Sequence, residues 1–123
     1  MENFTLHHTT SGRLDGSLRQ VIVGVVASGN LEVLAERLEA DTETTVEIST
    51  AAEGFGEIWN AVVADFVERS APGGVRFSIN DGGARPDTVL LRLMQAARAL
   101  REPALEKTLR EPAAEKTLRE TGS

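Results

Sequence analysis

Hydrophobic and polar positions alternate with a period of two through much of the first fifty residues. Phe4 and Leu6 share one face of residues 2–8, which predicts a first edge strand. Thr9 to Gly16 is rich in Thr, Ser, Gly and Asp and reads as a loop. Val21, Val23, Val25 and Ala27 then fall on one face of an arm over about 20–28, and Leu31 and Val33 on one face of a return arm over about 30–37. The arms meet at Ser28-Gly29-Asn30. Gly-Asn between alternating runs signals a two-residue hairpin, because Gly supplies the positive φ of a II′ turn. Thr44 to Thr50 is β-branched and alternating, a further strand.

The period then changes. Phe55, Ile58, Trp59, Val62, Val63, Phe66 and Val67 follow the i, i+3, i+4, i+7 stripe of an amphipathic helix. Ala71-Pro-Gly-Gly74 ends it, since Pro cannot continue a helix and the glycines release the backbone. Val75 to Ile79 alternates again as a last strand, and Asn80-Asp-Gly-Gly83 is a turn. Pro86-Asp87 starts a second helix whose face is Val89, Leu90, Leu93, Ala97 and Leu100.

The order β-β-β-β-α-β-α predicts an α+β fold: a largely antiparallel four- to five-stranded sheet with two helices packed on one face. Residues 1–101 form this domain. Residues 102–123 differ in kind, because Glu102 to Arg110 is repeated almost letter for letter as Glu111 to Arg119, with Ala114 in place of Leu105. Nine residues are too few for a solenoid unit, so residues 102–123 read as a tandem-repeat, exposed, partly helical C-terminal tail.

Composition narrows the function classes. A chain of 123 residues suits one domain with its own core. The absence of cysteine excludes disulfides, thiolate nucleophiles and thiolate zinc sites. A net charge of −6 and a pI near 4.9 argue against nucleic-acid binding, which needs clustered Lys and Arg, and suit partners with basic surfaces. No basic start followed by an apolar stretch marks a signal peptide, and no run reaches the roughly 20 apolar residues of a membrane span. The expectation is a soluble, cytoplasmic protein with neither nucleic-acid nor membrane partners.

The candidate chemistry is sparse. His7 and His8 are adjacent, so on a strand they face opposite ways and cannot jointly grip a metal. Gly54-Phe-Gly56 is followed by Glu57-Ile58-Trp59 and lacks the third glycine of a dinucleotide fingerprint. Asp81 beside Gly82-Gly83 is one carboxylate in a turn, suited to capping the turn and ordering the entry to the last helix rather than to calcium. Trp59 belongs with Phe55 and Phe66 on the apolar face, a core position. Ser28 remains: a hydroxyl facing water at a hairpin tip, with no histidine in the hairpin and no strand-to-helix elbow to activate it. Such a group is a poor nucleophile and a good attachment point. Spacing alone also allows Ser28 to be a simple turn former.

Three segments carry a family resemblance: Val23-Gly-Val-Val-Ala-Ser-Gly-Asn-Leu-Glu-Val-Leu34, Gly54-Phe-Gly-Glu-Ile-Trp59, and Ile79-Asn-Asp-Gly-Gly-Ala-Arg-Pro86 followed by Leu91-Arg-Leu93. Over about residues 2–101 the chain resembles the acyl carrier (delta) subunit of malonate decarboxylase and, more distantly, the gamma subunit of citrate lyase. The resemblance implies a non-catalytic carrier subunit with a phosphoribosyl-dephospho-coenzyme A group attached covalently to Ser28, its thiol holding malonyl and acetyl thioesters. It implies acyl-transferase and decarboxylase subunits and a prosthetic-group transferase as partners. A citrate lyase carrier, or an interaction domain without the group, are the alternatives. Ala27, Asn30 and Gly82 stand where that family usually shows Gly, Asp and Phe. The missing carboxylate at 30 is expected to lower the efficiency of the attaching transferase, and the missing Phe at 82 to loosen the last turn.

Overall fold

The computed structural model describes residues 1–39 and 42–101; the tandem repeat lies outside the described residues. Five strands and two helices follow one another as β1 (Glu2–Thr9), β2 (Gln20–Gly24), β3 (Leu31–Arg37), β4 (Glu43–Thr50), α1 (Gly56–Ser70), β5 (Val75–Asp81) and α2 (Pro86–Arg101). Both the expected element order and the α+β class are observed. The sheet order is β1-β4-β5-β3-β2, with every neighbouring pair antiparallel except β4 and β5. That pair is parallel because α1 carries the chain across between them.

Alternation sorts the side chains by face. Leu31, Val33 and Ala35 of β3, Val46 and Ile48 of β4, and Val75, Phe77 and Ile79 of β5 are buried beneath the helices. Their neighbours Glu32, Glu36, Glu47, Arg76 and Asn80 lie on the opposite face, where Arg76 donates to Glu36 at 3.0 Å. The helices close the core with Trp59, Val63 and Phe66 from α1 and Val89, Leu93, Ala96, Ala97 and Leu100 from α2. The Phe66 ring meets Phe77 edge-on, with centroids 5.1 Å apart, joining α1 to the central strand. Ala71 ends α1 in the left-handed region at φ 45° and donates its N–H to the Val67 carbonyl.

Three expectations change here. The arms expected over 20–28 and 30–37 are shorter: pairing stops at Gly24 and resumes at Leu31, so Val25 and Ala27 leave the sheet, and Val25 is exposed. Phe55 precedes α1 rather than joining its buried stripe, and it is 46% exposed. Between β1 and β2, Leu14 is buried at 3% exposure in the loop expected to be polar. Arg37, at the end of β3, holds that loop in place. Its guanidinium donates to the carbonyls of Leu14, Asp15, Leu18 and Leu100 at 2.6–3.0 Å. Burial pushes the Arg37 guanidinium below its ordinary pKa; Arg13 adds to the shift and Asp15 opposes it. Among the described residues no helix is long and apolar enough to cross a membrane.

Candidate attachment site

Leu31, Asp81 and Thr50 lie in one row across the sheet, at the end where β4 and β5 finish and β3 begins, with Gly24 of β2 opposite the next residue, Glu32. The segment joining β2 to β3, residues 25–30, hangs from this end. A bond of 2.9 Å from Asn30 N–H to the Ala27 carbonyl closes its turn, with Gly29 third at φ +75°. A positive-φ glycine in the third place is the signature of a type II turn. The expected II′ turn needs that residue second, with the strands running up to it, and they do not. Ser28 occupies the second place and is exposed.

The loop is folded down onto the start of the β5–α2 connection. Gly29 N–H donates to the Gly82 carbonyl at 3.2 Å, and Gly82 N–H donates to the Asn30 carbonyl at 2.9 Å. A Cβ at position 82 would collide with the Ala27 carbonyl oxygen and lie 2.9 Å from its carbon. Absence of a side chain at 82 is what allows this close approach of the two backbones. Asn30 turns inward. Its Oδ1 accepts from Leu31 N–H at 2.8 Å and from Arg92 Nε on α2 at 3.3 Å. Through these two bonds Asn30 ties the loop to β3 and to α2.

Asp81 fixes the partner side of this contact. It is buried at 6% exposure; Oδ2 accepts from Thr50 Oγ1 at 2.7 Å and Oδ1 from Ala84 N–H at 2.9 Å. The turn-capping task read from the sequence is thus met, and burial adds a tie between the ends of β4 and β5. Beyond Gly82 a cavity of about 280 Å³ opens, its wall formed by Phe55, Ile58, Trp59, Gly83, Ala84 and Val89, with Arg85 also on its lining. Sequence reading missed this cavity, although the apolar positions Phe55 and Ile58 that α1 leaves exposed are its trace. His7 and His8 lie on β1, at the opposite edge of the sheet from β2, with His7 exposed and His8 half-buried.

The Ser28 hydroxyl makes no hydrogen bond among the described residues, and no group of three potential metal ligands occurs among them. The described residues thus form a two-layer α+β domain with Ser28 exposed on a backbone-anchored loop. The family model of the malonate decarboxylase delta subunit (MdcD), an acyl carrier protein, matches residues 18–100. The malonate decarboxylase acyl carrier protein of Bradyrhizobium diazoefficiens is 61% identical over 102 residues, spanning 83% of this chain and 97% of that one. That of Xanthomonas campestris pv. campestris (strain B100) is 52% identical over 99 residues, spanning 79% and 94%. A chain in the crystal structure of a Pseudomonas malonate decarboxylase hetero-tetramer in complex with malonate superimposes with a TM-score of 0.72. It shares 27% identity and covers 81% of this chain and 99% of its own. The chain belongs to the malonate decarboxylase delta subunit family of acyl carrier proteins.

Proposed function

We propose that this chain is the acyl carrier subunit of a malonate decarboxylase, holding phosphoribosyl-dephospho-coenzyme A through a phosphate ester at Ser28 Oγ. The supporting observation is convergence. The three resembling segments lie far apart in sequence, yet they meet at one end of the sheet. Residues 25–30 pack on Gly82, Arg92 reaches Asn30, and Phe55, Ile58 and Trp59 face Gly83 and Ala84 across the cavity.

The site suits a covalently held, charged group. Ser28 is exposed, so an ester there displaces no core packing. The backbone just after it, Gly29 and Asn30, is bonded to Gly82, so the arm swings from a fixed base. When bound, the group supplies a terminal thiol on which malonyl and acetyl units are carried as thioesters. This chain's own part is proximity: a tethered substrate meets each partner site at a raised effective concentration, and the chain performs no bond-breaking itself. The partners on this reading are acyl-transferase and decarboxylase subunits and the enzyme that attaches the group in the cytoplasm.

Intact mass tests the reading. Co-expressed with its attaching enzyme, the protein should gain the mass of the group on the Ser28 peptide. Ser28→Ala should fold normally and gain none, and the reconstituted complex should lose malonate-dependent acetate release. Labelling retained in the Ala variant would refute the assignment.

A further inference from the structure

The cavity beside Gly82 has a use that the carrier role alone does not require. Its wall is apolar and partly aromatic, and Phe55 and Ile58, 46% and 42% exposed, are left at its rim at a cost in exposed hydrophobic surface. It begins at Gly83, the residue after the one to which the Ser28 loop is bonded. At 3.8 Å between successive Cα atoms, the cavity starts within roughly 15 Å of Ser28. A nucleotide followed by a pantetheine chain is longer than that, so the end of an arm on Ser28 can fold back to it.

The charges at the cavity determine which ends fit. Asp81 contributes a buried carboxylate to the lining, and both of its oxygens are already engaged by Thr50 and Ala84. Arg85 sits 3.5 Å from Asp87, and its side chain is 85% exposed, so it offers no buried counter-ion. A second carboxylate entering here would lose its water without gaining a partner and would meet a like charge. A methyl thioester or a thiol carries no such penalty.

We propose that this cavity is a docking site for the thioester end of the Ser28-linked arm. It takes the acetyl and thiol forms and rejects the malonyl form. Resting on the carrier reading, the device shields the acetyl thioester from water and leaves the malonyl thioester free to reach a decarboxylase. The selection needs no movement of the fold, only the difference of one carboxylate between the two cargoes.

The experiment uses the arm-bearing protein in its acetyl and malonyl states, with loading checked by intact mass and Ser28→Ala as the arm-free reference. In two-dimensional NMR the acetyl form should shift the Trp59 indole and the amides of Phe55, Ile58, Gly83 and Ala84, whereas the malonyl form should match the reference. Ile58→Glu, a change at an exposed rim position, should abolish the acetyl-dependent shifts and raise the rate of acetyl thioester hydrolysis at least twofold. Correct mass with no acetyl-dependent shift would overturn the docking site while leaving the carrier role standing. If instead no mass appears on Ser28, the carrier reading fails, and free S-acetyl-pantetheine and S-malonyl-pantetheine added to the protein decide the cavity separately. Shifts from the acetyl compound alone support it; equal shifts from both, or none from either, reject it.

Discussion

Beyond the β5 strand, Gly82 leaves room for nothing larger than hydrogen: a Cβ there collides with the backbone of Ala27, which has no flexible end to swing aside. Gly82→Ala must therefore lift the Ser28 loop off its support. Overpacking of this kind costs about 1–3 kcal/mol, so the thermal midpoint should fall by roughly 5 °C or more and Ser28 labelling should slow. An unchanged midpoint and labelling rate would show that the contact is looser than drawn. Asn30 makes the opposite case. An Asp at that position would keep the Leu31 bond and turn the Arg92 contact into a charge-assisted one. Asn30→Asp should stabilise the protein by about 0.5–1 kcal/mol, measurable as a higher urea midpoint that declines with added salt. Ser28 and its exposure were legible from Gly29 and the apolar flanks. The contact that fixes its loop was not, because a glycine chosen for closeness looks in sequence like any turn glycine.

At the scale of elements, periodicity located all five strands and both helices within a few residues, since each has one buried and one open face. Pairing order was beyond it. The period of β1 says which side chains face inward, but nothing local says that its partner is β4, or that β5 enters between β4 and β3. The shortened β2 arm also escaped, because Val25 and Val26 have the composition of strand residues yet are 58% exposed on the loop. Arg37 shows how a polar residue can organise an apolar region that sequence reading assigns to solvent. One planar guanidinium bonds three carbonyls of the segment around buried Leu14 and one at the end of α2. Lysine lacks that fork. Arg37→Lys should cost about 3 kcal/mol, because several charge-assisted bonds are lost and partly buried carbonyls go unpaired. Amide exchange should speed up most at Leu14, whose N–H is bonded to the Gly73 carbonyl. Uniform exchange across the chain, with a shift under 1 kcal/mol, would mean that the segment holds its place without the arginine.

For the molecule as a whole, the buried core of the described residues runs from Leu14 to Leu100. The surface is acidic, at −6 for the full chain, and an arm on Ser28 would add phosphate charge at the docking end. On the carrier reading proposed above, partner enzymes that service Ser28 are approached with an electrostatic steering component, expressed in the association rate more than in the contact itself. Association with a decarboxylase or transferase subunit should slow as salt rises, most steeply up to physiological ionic strength, where the Debye length shrinks to about 8 Å. Glu32 is the side chain to test first. It stands two residues past the 25–30 loop on the polar face of β3, where Asn80 Nδ2 donates to its carboxylate at 3.4 Å. That long contact contributes little to stability, so Glu32→Lys should leave the folded spectrum unchanged while lowering the association rate severalfold at low salt. The difference from the native protein should close as salt is added, because screening removes the term that the substitution reverses. Association rates that stay flat from low to high salt would place recognition in shape and apolar contact, with exposed Val25 and Val26 beside Ser28 the next residues to change.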